Sequence, residues 1–444
     1  MKIIPKLAGV LALSMALTST AMAQDTAPLP KVLFTNANIL DSNEGTITEG
    51  MSLLVEGNKI AQIAASIPAP EGATVIDANG RTLMPGLIDA HVHLTSLSSF
   101  TDMFYAQPDY IAARALVEAK ATLMRGYTGV RDISGQVMGV RKSIDEGYFP
   151  GPRIWASGAG ISMSAGHLDI KPTAQKPRGL GGWAWTDIDN VGMGILADGV
   201  PEVLAASRLQ MRNGANFLKM YTSGAVSGMY DPLDIAEFSF DELKAAADEA
   251  RRWNTYLAVH TYNNKGTQAA LNAGAMSIEH ANLLTEETVK LMAEKGAYLS
   301  AQTGAFLAPA PAFFTADQKV KKQAAADGLD TLFSLAKKYN VKIALGTDLP
   351  GNKEQQAYEM TNRLKWFTPA EIIQQATVNN AELMTWSGPR NPYPGKLGVI
   401  EEGALADLLL VDGNPLEELT LFNDPEKNLL LIMKDGKIYK NTVE

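Results

Sequence analysis

The central part of this chain alternates between short apolar β-type runs and helical segments, and no other feature of the sequence constrains the fold as strongly. Runs such as "RIWASG", "ANFLKMY", "YLAVHTY" and "VKIALGTD" are separated by helical stretches. Two of these stretches begin with a capping box, Ser239 with Glu242 and Thr368 with Glu371. Apolar strands that are regularly followed by helices indicate a parallel sheet covered by helices. The number of units fits an α/β fold of the (β/α)8 TIM-barrel type, and a doubly wound sheet is the alternative.

The two ends of the chain have a different pattern. The N-terminal stretch "KVLFTNANILDSNEG" and the C-terminal stretch "LLLIMKDGKIYKN" are short β-type runs broken by turn residues, with Asp435-Gly436 as a hairpin turn. The sequence therefore predicts a small β-sandwich domain built from both termini, residues 24–84 and 391–444. The barrel would occupy residues 85–390.

The first 23 residues are expected to be an export signal. They combine a basic start at Lys2 and Lys6, an apolar run and an Ala21-Met22-Ala23 end, which are the parts of a secretory signal peptide. The alternative is a buried N-terminal helix. The apolar run is too short for a permanent membrane span, and no cysteine follows to carry a lipid. We therefore expect a periplasmic or secreted protein, cleaved near Ala23 and without a membrane anchor.

Composition limits the possible partners and ligands. The formal net charge is −9 and no basic cluster is present, which argues against a nucleic-acid partner. The chain has no cysteine, so a transition metal would need nitrogen and oxygen ligands. Zinc, cobalt, manganese and iron all remain possible with such ligands.

Polar residues with metal-binding side chains follow the predicted strands of the barrel. His91 and His93 end "GLIDAHVH", and the other strand-end residues are Lys219, His260, His280 and Asp348. The carboxyl ends of barrel strands meet at one mouth, and residues two apart on a strand face the same side. Each residue taken alone also fits a structural role. The placement of four of the five histidines at strand ends favours a shared metal site.

At these residues the chain resembles the metal-dependent amidohydrolase superfamily. "MPGLIDAHVHL" is similar to the first metal signature of that superfamily, and the order H-x-H, Lys, His, His, Asp is similar to its dinuclear subset. The most similar branch contains imidazolonepropionase-related Xaa-Pro dipeptidases, exported carboxypeptidases and ochratoxin-hydrolysing amidohydrolases. The resemblance extends to the closing segment "GKLGVIEEGALADLLLVDGNP".

The resemblance implies a role for each matched position. It places one divalent ion, with zinc expected, on His91, His93 and Asp348, and a second on His260 and His280. Lys219 would be N6-carboxylated by CO2 and bridge both ions, since a carbamate supplies two oxygens where an amine supplies none. Asp348 would be the catalytic residue that takes a proton from the attacking water and delivers it to the leaving amine.

The resemblance also suggests two substrate-binding residues, His167 in "AGHLD" and Tyr262 in "HTY". The segment around His167 departs from the Gly-Gly-His-Gly that is usual in the family, and Tyr262 has an alternative role as a packed barrel aromatic. Arg131 in "TGVRD" is expected to support the barrel mouth, together with the aspartate after it. A long Gly-rich loop contains Trp183 and Trp185, which favours a large apolar substrate.

The resemblance implies a hydrolase that cleaves the amide bond to a C-terminal amino acid. Dipeptides, other peptides and N-acyl amino acids fit, including ochratoxin A with release of phenylalanine. The substrate would carry a free carboxylate, and the enzyme is expected to be a homo-oligomer. One alternative is a mononuclear deaminase or imidazolone-type hydrolase, which would not need Lys219. The other is an inactive binding protein, which would not need the complete ligand set.

Overall fold

A computed structural model describes residues 29–96, 106–182, 192–349 and 353–443. The predicted export signal, residues 1–23, lies outside the described residues, and so do Trp183 and Trp185. None of the helices among the described residues has the length and apolarity that a bilayer span requires.

The two ends of the chain form one mixed sheet of eight strands. Its members are β1 (Lys31–Asp41), β2 (Thr46–Glu56), β3 (Lys59–Ala64), β4 (Thr74–Asp77), β5 (Thr82–Pro85), β16 (Leu408–Val411), β17 (Leu429–Lys434) and β18 (Lys437–Asn441). Their order is β18-β17-β16-β5-β1-β2-β3, with β4 also beside β1. The N- and C-terminal parts meet where β5 and β16 pair antiparallel. Apolar side chains from both parts, among them Phe34, Leu53 and Leu410, share one buried core.

The middle of the chain forms the parallel strands of a barrel. They are β6 (Leu87–Val92), β7 (Tyr127–Asp132), β8 (Arg153–Ala156), β9 (Gly160–Ser162), β11 (Leu218–Tyr221), β12 (Leu257–Thr261), β13 (Ser277–His280), β14 (Tyr298–Ala301) and β15 (Ile343–Leu345). The third barrel position is divided, because β8 pairs with β7 whereas β9 pairs with β11. A further short strand, β10 (Gly194–Leu196), pairs with the other side of β9.

Helices cover the barrel strands. The longer ones are Pro108–Met124, Met138–Asp145, Val200–Arg212, Phe240–Arg252, Asn264–Ala273, Glu286–Lys295, Ala316–Lys338, Pro369–Gln374 and Asn380–Thr385. Four-residue helices are Gly304–Leu307, Glu359–Asn362 and Pro425–Asn428. Both predicted capping boxes are present, at Ser239 and at Thr368.

The barrel closes between its last and first strands through a side chain as well as through backbone. Asn380 donates from Nδ2 to the carbonyls of Ile88 at 2.6 Å and Leu345 at 2.8 Å, and so joins β6 to β15. The amide of Asp348 adds a backbone bond of 2.8 Å to the carbonyl of His91. Asn380 follows a π-helical turn, Gln375–Asn379, a distortion that is frequent at functional sites. The predicted (β/α)8 barrel with a β domain from both termini is confirmed.

Candidate metal centre

The barrel places the six predicted ligands in its parallel strands or directly after them. His91 lies in β6 and His93 directly after it, while Lys219, His260 and His280 lie in β11, β12 and β13. Asp348 follows β15 by three residues. The ring centroids of His91 and His93 are 5.3 Å apart, those of His91 and His280 5.1 Å, and those of His260 and His280 4.5 Å. The four histidines therefore form one continuous cluster.

Asp348 is the acid at the centre of this cluster. Its Oδ1 lies 3.1 Å from His93 Nε2 and 3.6 Å from His91 Nε2, and its Oδ2 lies 3.9 Å from His280 Nδ1. His91, His280 and Asp348 each offer a ligand atom, and these atoms lie within 4.8 Å of one another. Nitrogen and oxygen donors in this arrangement suit zinc and similar divalent ions. The three residues thus form a possible His/His/Asp metal site.

The protonation states in the cluster suit metal binding. Burial lowers the pKa of His91 to about 4 and that of His280 to about 3, so both rings are neutral near pH 7 and keep a lone pair for a metal. Burial alone would raise the pKa of Asp348, but the surrounding imidazoles outweigh that effect and lower it. Asp348 is therefore a carboxylate.

Two polar atoms at this centre are buried without a hydrogen-bond partner among the described residues. They are Nζ of Lys219 and Nε2 of His260. An unsatisfied buried polar group costs about 1–3 kcal/mol, so such atoms are uncommon and call for an explanation. Both fit the proposed centre, since a metal satisfies an imidazole nitrogen and a carboxylated lysine presents two oxygens. The two atoms therefore lie where the predicted ligand set would need a donor, next to the possible His/His/Asp metal site.

The environment of Lys219 favours its reaction with CO2. The residue is 1% exposed, and burial lowers the pKa of Lys219 to about 8, although the charge of Glu279 acts in the opposite direction. Only the neutral amine can add CO2, and a lowered pKa increases the fraction of that form near neutral pH.

Two residues that sequence reasoning did not identify hold the ligand histidines in place. Glu279 Oε2 lies 2.9 Å from His91 Nδ1, and Gln302 Oε1 lies 2.7 Å from His280 Nδ1. A carboxylate that accepts a hydrogen bond from one imidazole nitrogen directs the lone pair of the other nitrogen toward a metal. Arg131 in turn donates from Nη2 to both oxygens of Glu279 at 2.8 Å. Arg131 thus holds Glu279 behind His91, and its role at the barrel mouth stays a prediction.

The two predicted substrate residues lie against the ligand cluster. The ring of His167 stacks on His260, with centroids 4.9 Å apart and planes 10° apart. Tyr262 stacks on His280 at 5.0 Å with planes 2° apart. Burial raises the pKa of Tyr262 well above its ordinary value, so its hydroxyl keeps its proton and can donate it in a hydrogen bond. Their role in substrate binding stays a prediction.

Tyr221 is a further aromatic residue at the centre that sequence reasoning missed. It lies two residues after Lys219, so both side chains face the same side of β11. Its ring centroid is 5.1 Å from that of His260 and 5.2 Å from that of His167, and Lys219 Nζ lies 5.2 Å from it. Tyr221 therefore separates the amine of Lys219 from solvent on this side. The spacing of two residues from Lys219 is the signal that would have identified it.

Glu237 supports the loop that carries His167 and gives the fold a pH dependence that can be measured. Its Oε1 accepts the backbone N–H of His167 at 2.8 Å, and burial raises the pKa of Glu237 to about 8 from an ordinary 4.5. An acid whose pKa is raised on folding stabilises the fold fully below its unfolded pKa, and that stability is lost as the pH rises through the folded pKa. Between pH 6 and pH 9 the loss should be about 3 kcal/mol.

We therefore expect Glu237→Gln, which resembles the protonated side chain, to resist unfolding at high pH better than the natural chain. Urea midpoints of both proteins at pH 6 and pH 9 measure this difference. The midpoint of the natural chain should fall more than that of the variant. Parallel falls would show that Glu237 does not titrate in this range.

Comparisons with known proteins identify the family. A model of the family described as "Amidohydrolase family" matches residues 82–439. The chain is 33% identical to the ochratoxinase of Aspergillus niger over 435 residues, which cover 92% of this chain and 87% of that protein.

Solved structures of similar fold cover nearly the whole chain. A prolidase complexed with N-methylphosphonate-L-proline superposes with a TM-score of 0.86 at 29% identity, over 93% of this chain and all (100%) of that one. The Aspergillus niger ochratoxinase structure has a TM-score of 0.80 at 31% identity, over 94% and 96% of the two chains. A Xaa-Pro dipeptidase with bound methionine has a TM-score of 0.81 at 28% identity, over 93% and 100%.

Proposed function

This chain belongs to the amidohydrolase family and hydrolyses amide bonds, and we propose that it does so with two divalent metal ions and releases a C-terminal amino acid. The observation that carries the dinuclear part is a pair of buried atoms beside the His/His/Asp group, Lys219 Nζ and His260 Nε2, that have no hydrogen-bond partner among the described residues. A single ion on His91, His280 and Asp348 would leave both atoms unexplained.

In this proposal His91, His93 and Asp348 hold one ion, His260 and His280 hold the other, and N6-carboxylated Lys219 joins them. We propose zinc for both ions, since all protein donors are nitrogen or oxygen. When bound, such a pair lowers the pKa of a water molecule to near neutrality and polarises the scissile carbonyl.

The chain's own residues then move the proton. Asp348 is ionised, and its side chain is 23% exposed while the neighbouring His91 is 2% exposed, so it is the acid at this centre that water and substrate reach. Asp348 accepts the proton of the attacking water and returns it to the leaving nitrogen. His167 and Tyr262 lie against the candidate ligands His260 and His280. In this proposal, Tyr262 donates its hydroxyl hydrogen to the carboxylate of the substrate.

An apolar rim supports a large apolar acyl group in the substrate. We define this rim as Met229, Tyr230, Leu307 and Phe313, which are 61%, 42%, 46% and 65% exposed. The first two residues follow β11, and the last two follow β14, with Leu307 at the end of the short helix Gly304–Leu307, so both pairs lie in strand-to-helix connections at the mouth. Gln318 connects the two loops by donating from Nε2 to the carbonyl of Ser227 at 2.8 Å. The proposed substrates are therefore N-acyl amino acids with aromatic acyl groups, ochratoxin A among them.

The double variant Met229→Ser/Phe313→Ser tests this assignment. Each exposed apolar side chain that a substrate covers contributes up to about 1.5–3 kcal/mol, so the variant should lower kcat/KM for an aromatic N-acyl phenylalanine by about tenfold or more. N-acetylphenylalanine, whose acyl group carries no aromatic ring, serves as the matched substrate and should be hydrolysed nearly as before. Equal losses on both substrates would contradict contact between the rim and the acyl group.

The experiment that tests the function as a whole combines metal analysis with a product screen. The chain beginning after Ala23, the form that we propose is exported, is incubated with dipeptides, N-acyl amino acids and ochratoxin A. We expect two divalent ions per chain and release of the C-terminal amino acid. Release of ammonia with one ion per chain would instead indicate a mononuclear deaminase. Hydrolysis of substrates without a free carboxylate at equal rates would contradict the proposed role of Tyr262.

A further inference from the structure

Asp231 is a buried carboxylate that lies beside the metal centre without belonging to it. Its Oδ2 is 3.3 Å from Nδ1 of His167, and its side chain is 1% exposed. His167 in turn stacks on the candidate ligand His260. Among the hydrogen bonds of the described residues, the one to the ring of His167 connects Asp231 to the centre.

The protein fixes the position of Asp231 on two sides. The backbone N–H of Ala225 donates to Asp231 Oδ2 at 2.8 Å, and Lys321 donates from Nζ to the carbonyl of Asp231 at 3.2 Å. Gly228 leaves the necessary space, since a Cβ at that position would lie 1.8 Å from Asp231 Oδ1. Burial alone would raise the pKa of Asp231, but the hydrogen bonds from His167 and Ala225 outweigh it and lower the pKa. Asp231 is thus a preformed, ionised acceptor.

The backbone and the ring of His167 are held by different acids. Glu237 accepts the backbone N–H of His167 at 2.8 Å and so fixes the loop, whereas Asp231 contacts only the ring. An ionised carboxylate can only accept a hydrogen bond, so the nitrogen that faces it must carry a proton. The other ring nitrogen, Nε2, then remains for the substrate.

We propose that Asp231 is a positioning residue that fixes the ring of His167 with its proton on Nδ1 and reserves Nε2 for the substrate. The neutral ring accepts a hydrogen bond at Nε2, and the protonated ring donates one. The role of His167 at the substrate rests on the proposed function, but the tautomer of its ring does not.

Nitrogen NMR of histidine-labelled enzyme reads the tautomer directly, without substrate. The chain has five histidines, and the signals of His167 are identified by their loss in His167→Gln. We expect a protonated Nδ1 and an unprotonated Nε2 in the neutral ring, and a change in this pattern in Asp231→Ala. A ring protonated only at Nε2 in the natural chain, or unchanged signals in Asp231→Ala, would overturn the proposal.

Kinetics on an N-acyl amino acid supply the second readout. Loss of a hydrogen-bond partner behind a functional histidine typically costs about 10–100-fold, and we expect this loss in kcat for Asp231→Ala with little change in KM. In a His167→Gln background the same substitution should cost nothing further, because Asp231 acts only through that ring. If the kcat losses of Asp231→Ala and His167→Gln multiply in the double variant, Asp231 has a merely structural role.

Two further variants keep the test decisive. Asp231→Asn preserves the shape and the acceptor for the Ala225 N–H, so it replaces Asp231→Ala if that variant fails to fold. Asp198→Asn is the matched control, since Asp198 accepts from Ser164 N at 2.9 Å and Oγ at 2.7 Å in the same loop without contacting the ring of His167. Asp198→Asn should leave both the tautomer of His167 and kcat unchanged.

If no amide is hydrolysed, the proposed function fails, while the NMR result still decides the role of Asp231.

Discussion

Replacement of Lys219 by alanine is expected to abolish amide hydrolysis and to reduce the metal content to at most one ion per chain. The Nζ atom is buried at the centre of the ligand cluster and has no hydrogen-bond partner among the described residues. The expected fall in kcat is more than about 10³-fold, because removal of one preorganised donor to a transition state already costs about 10²–10³-fold. In the proposed centre, the group lost from Lys219→Ala is the one that would join both ions. Metal analysis of the purified variant and the rate of amino-acid release measure the two effects.

Rescue and a matched lysine make this prediction specific. The side chain that is lost leaves space for a small carboxylate, so acetate or propionate should restore part of the activity and the second ion. Lys322→Met is the control, because burial also lowers the pKa of Lys322 to about 8, yet its Nζ donates to the backbone carbonyls of Ala305 and Phe306. It should retain two ions. Two tightly bound ions and full activity in Lys219→Ala would rule out the dinuclear mechanism.

The fold was predictable from the sequence where local signals determine it. The capping boxes at Ser239 and Thr368 and the turn at Asp435 depend on residues close together in the chain, and the structure contains them. The division of the third barrel strand and the closure of the barrel by Asn380 were not predictable. Asn380 bonds to Ile88, 292 positions away, and no periodic pattern carries that information.

The same distinction applies to the site. The candidate ligands could be predicted because each one follows an apolar run in the sequence, which is a local pattern. The residues that support them were missed, and Glu279 shows why. Adjacent residues in a strand face opposite sides, so strand alternation alone cannot bring both Glu279 and His280 to one centre. His280 has a φ of +70°, in the left-handed region, and this local departure from strand geometry is not encoded in any hydrophobic pattern.

Arg131 and Glu279 form a fully buried ion pair. Breaking this pair by a single substitution should lower the free energy of unfolding strongly. Both side chains are 0% exposed, and Arg131 also donates to the carbonyl of Ala90 and to Ser277 Oγ. Arg131→Met would leave the carboxylate of Glu279 buried without its cation. Removal of one partner of a buried pair typically costs about 3–5 kcal/mol. Urea unfolding followed by circular dichroism should therefore show a lower midpoint.

A second substitution separates stability from activity. Arg131→Met/Glu279→Leu removes both charges, and exchange of a buried pair for apolar residues is often neutral, so the double variant should recover most of the lost stability. It should not recover activity, because His91 loses the carboxylate that orients its ring. Lys142→Met, which breaks an exposed pair with Glu146, is the control and should cost no more than about 0.5 kcal/mol. A double variant as unstable as Arg131→Met would show that packing, and not an unpaired buried charge, causes the loss.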